Sequence, residues 1–595
     1  MSYKILTFIS LFICFTVKAA KVEYSLKMSK PQNHYFEVMM TIDELSGKNI
    51  TIKMPVWSPG SYMVREFSKN VNLVRAFDEE ANKLPITKTS KNTWVIKRNN
   101  AKQIRVKYEV YAFELSVRTS FLDLTHGFIN GSSVFMFVDG STENQGKLDI
   151  YPHEDFSTIT TSLKKPSDSI RFEGAKTFQF KNYDELIDSP IEIGNQEVFE
   201  FEAAGCDHTV ALYGVGNYEI SKLQKDIKKI VETATKVIGV NPNKKYTFII
   251  HNVNDGQGGL EHMNSTTLSV NRWGYTGKDY LDFLSLVAHE YFHLWNVKRI
   301  RPMELGPFNY DQENYTSLLW VMEGFTSYYD ELLLRRAGYI SEQEYLQKLN
   351  STLNYVEGSE GRKVQPVAHA SFDAWIKGYR PNENSSNTTI SYYSYGHILA
   401  ALLDVKIISK FNGEKSLDDF MRLLYRRFHV KENRGFTEKE FEETLTDFMR
   451  EDMSTFINDY VFDTKIPDYK TYFESIGIKL DQTIIKKSFF GATFEKSADN
   501  TIVKSIRTNS EAETAGLSVN DEIIAINGFR IHSYNIDDAI NALKLDDNFT
   551  FLVSRDEILM EIVAKIGSLE QTTYKLSTDF ASDKTNLISY WLRIN

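Results

Sequence analysis

Short stretches of alternating apolar and polar residues dominate the first part of the chain. Residues 35–41, 50–54 and 104–111 follow this pattern, and turn-forming residues separate them. A period of two places successive side chains on opposite faces of a strand, so each stretch predicts a half-buried β-strand. We therefore expect an antiparallel β-domain over residues 21–180.

In the middle of the chain the apolar residues recur every three or four positions, which predicts amphipathic helices. The helical stretches are residues 279–298, 317–337, 341–356 and 395–410, and a strand over 246–251 leads into a Gly-rich turn. This combination predicts a mixed α+β domain over residues 181–477.

Short strands return over residues 481–567, with one helical stretch near 536–545. This change indicates a separate small domain. The last segment, residues 568–595, is mostly polar and the pattern predicts no element in it. The fold class we expect is α+β multidomain, because 595 residues are too many for a single core.

Composition and charge narrow the class of protein. A hydrophobic fraction of 42% and a charged fraction of 25% are those of an ordinary soluble protein. Phe and Tyr are abundant and Pro is scarce, which favours β-rich folding over long disordered segments. The net charge of −10 comes without a block of like charge, so we expect no nucleic-acid partner.

The N-terminus has the pattern of an export signal over residues 1–20. Lys4 precedes an apolar run from Ile5 to Val17, and the small residues Ala19 and Ala20 follow. The run is shorter than the roughly 20 residues that a membrane helix needs, which favours a cleaved signal over an uncleaved anchor. We expect an exported chain, periplasmic or extracellular, with no membrane span after cleavage.

The cysteine content predicts a fold that is stabilised by its buried core and not by disulfide bonds. Cys14 lies inside the predicted signal, so Cys206 is the single cysteine of the mature chain. One thiol cannot form an internal disulfide, and a buried, inert thiol is the ordinary expectation.

The strongest chemical signal is the run from His289 to His293, which has the spacing His-Glu-x-x-His. It lies in a stretch of helical apolar spacing, and residues four apart on a helix share one face. Both imidazoles can then bind one Zn²⁺ ion, and Glu290 projects beside them as a general base. The alternative is two hydrogen-bonded histidines on a packed helix.

A hydrolytic zinc site needs a third protein ligand and one open position. Glu323 is the best candidate, because an acid between large apolar residues is costly to bury unless a charge satisfies it. Glu304 and Glu313 are second choices in a loop-like stretch. A carboxylate bonded to backbone amides is the alternative for Glu323.

Two further segments carry weaker signals. Gly258 and Gly259 would let a substrate backbone approach closely, and Glu261 could hold a free amino terminus. A plain glycine turn is an equal alternative. A tyrosine cluster over residues 392–395 opens an apolar helix, and a phenol beside the metal could donate to an oxyanion, although such clusters more often serve packing.

Together these segments resemble the glycyl aminopeptidase family of gluzincin zinc metallopeptidases that carry a C-terminal PDZ domain. The zinc helix with its extension to Pro302 is similar to the family signature. The segments Leu319 to Thr326 and Trp57 to Arg65 are similar to two more of its motifs. The resemblance covers nearly the whole mature chain up to the tail.

The resemblance implies a thermolysin-like (gluzincin) catalytic domain that cleaves N-terminal residues, with small ones such as Gly or Ala preferred. It also implies that Glu323 is the third ligand. Gly258, Gly259 and Glu261 are similar to the exopeptidase motif, which would place Glu261 at the substrate amine, although His262 stands where related enzymes have Asn.

Tyr393 is similar to the tyrosine that stabilises the transition state in related aminopeptidases. Those enzymes have Lys two residues later, where this chain has Tyr395. That departure leaves Tyr392 as the alternative.

Residues 481–567 resemble a PDZ domain. The segments 515–517 and 521–528 match the recurrent core of bacterial PDZ modules. The loop that receives a peptide carboxylate through its backbone amides would then be formed by Phe489, Phe490, Gly491 and Ala492. Peptide C-termini are the expected partners there, and a domain that only packs against the catalytic unit is an equal alternative.

The sequence therefore favours a zinc-dependent aminopeptidase that acts on peptides by a Glu-assisted metal-water mechanism. A zinc endopeptidase whose PDZ domain delivers substrates is one alternative. The other is a PDZ peptide-binding protein with a non-catalytic metal site, which would need a fourth ligand, and no further Cys or His stands in the zinc motifs.

Overall fold

The computed structural model describes residues 20–166, 174–497, 500–578 and 584–594. Two compact units make up the chain. The first contains Met1–Trp57 and Arg65–Gln196, and the second contains Ser58–Val64 and Glu197–Asn595. The export signal predicted over residues 1–20 lies outside the described residues except for Ala20.

The first unit is built from three β-sheets with a seven-stranded sheet as the largest, in the order β14-β12-β1-β2-β8-β4-β5. Its pairings are antiparallel except for β1 with β12. Alternate residues of β2 are buried, as the sequence pattern predicts for a half-buried strand. The elements are β1 Lys21–Lys27, β2 Tyr35–Asp43, β3 Asn49–Lys53, β4 Val71–Phe77, β5 Lys83–Leu84, β6 Ile86–Ser90, β7 Thr93–Lys97, β8 Ile104–Tyr111, β9 Phe121–Leu122, β10 Gly127–Ile129, β11 Phe137–Val138, β12 Gly146–Tyr151, β13 Thr158–Thr161, β14 Lys176–Phe180, α1 Tyr183–Ile187 and β15 Ile191–Gly194.

The second unit begins with a five-stranded mixed sheet and continues as a helical array. The sheet order is β16-β17-β18-β20-β19. These elements are β16 Glu197–Ala203, β17 Cys206–Tyr213, α2 Ile220–Ile238, β18 Lys245–Val253, β19 Gln257–Glu261, β20 Ser265–Asn271, α3 Gly277–Phe292, α4 Leu319–Met322, α5 Gly324–Arg336, α6 Glu342–Gly358, α7 Val367–Phe372, α8 Ser385–Thr388, α9 Tyr392–Lys410, α10 Leu417–Leu424, α11 Glu438–Met449, α12 Ser454–Tyr460 and α13 Tyr469–Glu474.

The Gly-rich segment after β18 is an edge strand instead of the expected turn. Residues of β19 pair antiparallel with β20, from Gln257 opposite Val270 to Glu261 opposite Thr266. Strands β17, β18 and β20 are mutually parallel and almost fully buried, as is usual for strands covered on both faces. The edge strand packs against α3, with Gly258 half-buried and Gly259 buried.

Two of the predicted helices end or break at chemically important residues. The helix predicted over 279–298 ends at Phe292, and His293 is its C-cap. The chain then reverses direction, with Val297 at a φ of 84°. The helix predicted over 317–337 is interrupted at Glu323, which separates α4 from α5. Apolar periodicity continues through both places, and for this reason it did not reveal the breaks.

The C-terminal part of the second unit is a small β-domain whose sequence lies between the two strands of an antiparallel ribbon. The sheet order is β22-β23-β24-β26-β27, with β25 attached to β24, and β21 pairs with β28 along its whole length. The elements are β21 Ile478–Phe489, β22 Ala492–Lys496, β23 Thr501–Ile506, α14 Glu511–Thr514, β24 Glu522–Ile526, β25 Phe529–Arg530, α15 Ile536–Asn541, β26 Asn548–Arg555, β27 Ile558–Lys565, β28 Gly567–Thr578 and α16 Thr585–Trp591.

The segment 568–595, for which the sequence predicted no element, contributes β28 and α16. Hydrogen bonds tie β28 to α6, from Asn354 Nδ2 to the Tyr574 carbonyl (2.9 Å) and from the Leu576 amide to Asn350 Oδ1 (3.2 Å). Trp591 of α16 is fully buried and its indole donates to the Tyr328 hydroxyl at 2.7 Å. The polar sequence of this segment concealed a structural role, because most of its contacts are with distant parts of the chain.

Within the described residues, no helix has the length and apolar character needed to span a membrane. Cys206 is buried and forms no disulfide, as predicted. Burial raises the pKa of its thiol to about 12, so it is inert at neutral pH.

Helix α9 crosses the junction of α4 and α5 at two facing glycines. A Cβ atom on Gly396 would lie 2.4 Å from the Trp320 carbonyl oxygen and 2.8 Å from the Gly324 Cα. A Cβ atom on Gly324 would lie 2.4 Å from the Gly396 Cα. The backbones can approach this closely only because neither residue has a side chain, and the contact fixes Glu323 between the two helices.

Replacing Gly396 with Ala should destabilise the fold by about 1–3 kcal/mol, because backbone atoms must move to admit the new methyl group. The measurement is the midpoint of chemical or thermal unfolding. Gly358→Ala is the matched control, since its Cβ would meet only the end of the flexible Gln571 side chain, at 2.9 Å. Equal stability of both variants would contradict the close crossing.

Candidate active site

Three side chains from two segments converge on one point in the second unit. Glu323 Oε2 lies 3.6 Å from His289 Nε2 and 3.3 Å from His293 Nε2. The ligand atoms of the three residues all lie within 4.8 Å of one another. The predicted third ligand is therefore brought to the predicted pair of imidazoles, whereas Glu304 lies in a separate 3-10 helix, Met303–Leu305.

The two imidazole rings are held by their Nδ1 atoms. His289 Nδ1 lies 2.9 Å from Asp330 Oδ2, and His293 Nδ1 lies 3.0 Å from the Asn296 carbonyl oxygen. Each of these partners accepts a hydrogen bond, which places the proton on Nδ1 and leaves the Nε2 lone pair directed at the shared point. This is the arrangement that metal-binding histidines require.

Asn296 connects the segment after α3 to the segment that carries Glu323. Its side-chain amide donates to the carbonyl oxygens of Val321 and Met322, both at 2.9 Å, and to Thr326 Oγ1 at 3.0 Å. The residue is fully buried. One amide group thus holds the end of α4 against the turn that follows His293, and so sets the distance between the ligands.

The residues present fit a zinc ion. Two neutral imidazoles and one carboxylate form the donor set of a hydrolytic zinc site, and their partners fix the tautomers. Burial opposes ionisation of Glu323, but His293 and His289 outweigh it and hold the pKa of the carboxyl below its ordinary value. The carboxylate is therefore in the charged form that a cation needs.

Glu290 lies beside this point and is almost fully buried. Burial raises the pKa of its carboxyl, and the nearby carboxylates of Glu261 and Glu323 raise it further. Its Oε2 has no hydrogen-bond partner among the described residues. A buried carboxylate with an unused oxygen beside a metal site has the properties of a general base.

Gly259 allows Glu290 to occupy its position. A Cβ atom on Gly259 would lie 2.3–2.4 Å from the Glu290 side chain. Gly258 has a φ of 134° and nothing within 4 Å of its Cβ position, so it serves the backbone conformation of β19 and not its packing. Gly259 therefore makes room for the protein's own Glu290, and the approach of a substrate backbone to these glycines stays a prediction.

Glu261 ends strand β19 and faces the same centre. One carboxylate oxygen each from Glu261 and Glu290 and one ring nitrogen of His293 lie within 4.8 Å of one another. Glu261 is buried, and among the described residues no Lys or Arg forms an ion pair with it. A buried carboxylate in this position can bind a positively charged group of a ligand.

The segment Ser58–Val64 belongs to the second unit and covers Glu261. A Cβ atom on Gly60 would lie 2.6–2.7 Å from both carboxylate oxygens and 2.8 Å from Leu260 Cδ1, and Gly60 has a φ of 86°. The ring of Tyr62 lies 5.8 Å from that of Trp375 and 6.1 Å from that of Tyr379. The turn is therefore anchored by aromatic packing, as its sequence indicates, and its glycine also forms a wall of the site.

The tyrosine cluster places one ring at the metal ligands. The Tyr393 ring lies 6.4 Å from the His289 ring and roughly parallel to it, and the Tyr392 ring stacks on Tyr393 at 4.7 Å. Burial raises the pKa of Tyr393 well above its ordinary value, so its hydroxyl keeps its proton at neutral pH. That hydroxyl can donate a hydrogen bond toward the centre.

The predicted carboxylate loop lies between β21 and β22. Phe490 is buried in the core of the small β-domain, whereas Phe489, Gly491 and Ala492 line a cavity of the second unit. Gly491 has a φ of 94°, and a Cβ there would lie 2.2 Å from the Ser510 Cβ. The backbone of this loop is therefore fixed tightly against the domain.

Sequence reasoning missed three residues that shape the site: Asp330, Asn296 and Gly60. Asp330 could have been found, because it follows Glu323 by seven residues, two helical turns along the same face. Asn296 lies in the extended zinc motif, but no pattern reveals its partners. The position of Gly60 depends on a contact across two hundred residues of sequence.

Comparison with known proteins is consistent with these features. The family model of the Peptidase M61 N-terminal domain matches residues 23–195, that of M61 glycyl aminopeptidase matches 282–399, and that of the PDZ domain matches 475–547. Among curated proteins, none matches the chain.

The chain is also similar to several solved structures. An aminopeptidase N family protein from Idiomarina loihiensis is 30% identical, covers 96% of this chain and 100% of its own, and has a TM-score of 0.88. The M1 zinc metallopeptidase from Deinococcus radiodurans is 12% identical, with 76% and 96% covered and a TM-score of 0.48. Leukotriene A4 hydrolase from Saccharomyces cerevisiae is 13% identical, with 76% and 69% covered and a TM-score of 0.46.

The first of these relatives is similar enough in sequence, coverage and fold to assign the family. The resemblance inferred from the motifs is confirmed, and so is the α+β multidomain fold class. The chain belongs to the M61 glycyl aminopeptidase family and is a metallopeptidase with a C-terminal PDZ domain.

Proposed function

We propose that the protein is a zinc-dependent aminopeptidase that removes small N-terminal residues, Gly and Ala above all, from peptides. The observation that carries this proposal is the placement of Glu261, a buried carboxylate beside the predicted metal ligands. A peptide amino terminus would supply the positive charge that Glu261 lacks among the side chains around it. Cleavage would then occur at the first peptide bond.

His289, His293 and Glu323 would hold the zinc ion. When bound there, zinc supplies a Lewis acid for the scissile carbonyl and a water nucleophile at neutral pH. Glu290 would accept the proton of the attacking water at Oε2 and return it to the leaving amine. The Tyr393 hydroxyl would donate a hydrogen bond to the developing oxyanion, which favours Tyr393 over Tyr392 for this role because its ring is the one beside His289.

The preference for small residues is supported by the packing around Glu261. The Gly60 turn lies against both this carboxylate and Leu260, so little room is left beside a bound amino terminus. The predicted export signal would place this activity in a periplasm or outside the cell.

Replacement of Glu290 by Gln should lower kcat by about 10²–10⁴-fold, because the proton acceptor is lost. The zinc content of the purified variant should stay at that of the wild type, since Glu290 is not one of the proposed ligands. Activity assays and elemental analysis measure the two quantities. Asp279→Asn, an exposed acid in the first turn of the same helix, is the control and should leave both unchanged. Near-normal turnover by the Gln variant would exclude Glu290 as the base.

Peptides that begin with Gly or Ala should release free amino acid, and their N-acetylated twins should not be cleaved, because Glu261 needs a charged amine. A chelator should stop the release. Glu261→Gln should raise KM for the free-amine peptides at least tenfold, the direction expected for the loss of a buried charge pair. Internal cleavage of both forms would instead identify an endopeptidase with the same metal chemistry.

Asp330→Asn should weaken zinc binding about 10–100-fold, because the Nδ1 proton of His289 loses its charged acceptor. Competition with a zinc chelator measures this affinity without reference to activity. Ser285→Ala is the matched control: it removes only the 3.2 Å hydrogen bond to Asp330 Oδ1 and should have a smaller effect. Unchanged affinity in the Asn variant would show that the orientation of His289 does not depend on Asp330.

A further inference from the structure

A cavity of about 680 Å³ in the second unit is lined by residues of both the catalytic domain and the PDZ domain. On the catalytic side it is bounded by Tyr392 and Tyr393, and Tyr393 is the residue whose ring lies beside His289. On the PDZ side it is bounded by Thr493, Ser505 and Arg507. Its volume is that of a site for a small molecule or a short peptide. The cavity therefore extends from Tyr393, whose ring lies 6.4 Å from that of His289, to a surface of the PDZ domain.

The PDZ wall is the outer face of strands β22 and β23. Thr493 and Ser505 are opposite each other on these strands, and their hydroxyl oxygens are 2.6 Å apart. Phe494 packs on the domain's core and is not part of the cavity lining, whereas Ala492 contacts both the core and the cavity. Helix α15 contributes nothing to the cavity lining. This surface is thus different from a groove between β22 and α15, where a peptide would add to the edge of the sheet.

Hydrogen bonds fix this wall to the catalytic domain. Asn387 Nδ2 donates to the Ile506 carbonyl at 2.7 Å, and the Thr508 amide donates to Asn387 Oδ1 at 3.0 Å. Between these two contacts, Arg507 Nη2 donates to Glu360 Oε1. The wall is held by two backbone groups on either side of Arg507 and by the ion pair of Arg507 itself, so its position relative to the catalytic domain is defined.

The charges around the cavity favour an anion at its PDZ end. Arg507 is paired with Glu360, which Lys363 also engages at 2.9 and 3.1 Å, and the lining residue Lys377 is paired with Asp373 at 3.3 Å. The ion pair with Glu360 uses one nitrogen of the Arg507 guanidinium. The remaining N–H groups form a fork suited to a second carboxylate.

We propose that this cavity holds the C-terminal part of the peptide being cleaved, and that Arg507 binds its terminal carboxylate. The inference rests on the proposed function, which places the amino terminus at Glu261 and the first peptide bond at the metal. Each further residue extends the peptide by about 3.3–3.6 Å, so only peptides of a certain length reach Arg507. The substrates are then short peptides with free C-termini, and the PDZ domain forms a wall of the active site.

The test compares peptides Gly-Ala, Gly-Ala-Ala and longer members of the series, each as the free acid and as the C-terminal amide. For the wild type, kcat/KM should favour the acid about tenfold at one or two lengths and show no preference at greater lengths. The effect should appear mainly in KM. Arg507→Gln should reduce the acid-to-amide ratio to about one. Affinities of the same pairs for the Glu290→Gln protein, measured by calorimetry, should show the same ratio without turnover.

Glu360→Gln is the matched control, because it breaks the same ion pair but retains Arg507. It should keep the acid-to-amide ratio or increase it. If both variants lost the ratio equally, the ion pair would serve only to position the PDZ domain, and the inference would be overturned. A wild-type ratio of one at every length would overturn it as well, while leaving the aminopeptidase proposal intact. If no peptide of the series were cleaved, the aminopeptidase proposal itself would be wrong, and this inference with it.

Discussion

The catalytic domain depends on one constraint, which is that Glu323 must stay within 3.3–3.6 Å of two imidazoles that lie on another helix. Helix α3 ends at Phe292, so His293 is already outside the regular hydrogen-bond pattern. The buried amide of Asn296 holds the carbonyl oxygens at the end of α4, and the facing glycines of α5 and α9 allow the third helix to close behind Glu323. Loss of the Asn296 amide or of the facing glycines would move the metal ligands apart, even with all three ligand residues unchanged.

The same constraint concentrates negative charge in a small buried volume. Glu261, Glu290 and Glu323 surround His293, and Asp330 lies behind His289. Burial of so many carboxylates is costly without compensating cations. A divalent ion at the ligands and a substrate amine at Glu261 would together supply that compensation. The electrostatics of the site therefore agree with a protein that is stabilised by its metal and completed by its substrate.

Periodicity and motif spacing were enough to place the helix of His289 and His293 and to select Glu323 from three candidate acids. The predicted kinds of domain, an N-terminal β-domain, a catalytic α+β domain and a C-terminal PDZ domain, agree with the family models. The same reasoning predicted that α3 continues to residue 298 and that α4 and α5 form one helix. The structure differs in both places, because apolar spacing does not show where backbone hydrogen bonds stop. The sequence pattern predicted a turn where β19 is a strand. Glycine is typical of turns, but in this segment it makes room for the Glu290 side chain. The PDZ wall of the cavity depends on contacts between residues more than a hundred positions apart, and the pattern of a single sequence does not predict such contacts.

The Ser58–Val64 turn belongs to the second, catalytic unit, although the residues before and after it in the sequence belong to the first unit. Its glycine touches the carboxylate proposed to bind the substrate. A gene that began at residue 197 would thus encode every predicted metal ligand and yet an incomplete pocket. Exchange of whole N-terminal segments between relatives, by recombination or by engineering, would transfer part of the substrate selectivity with them.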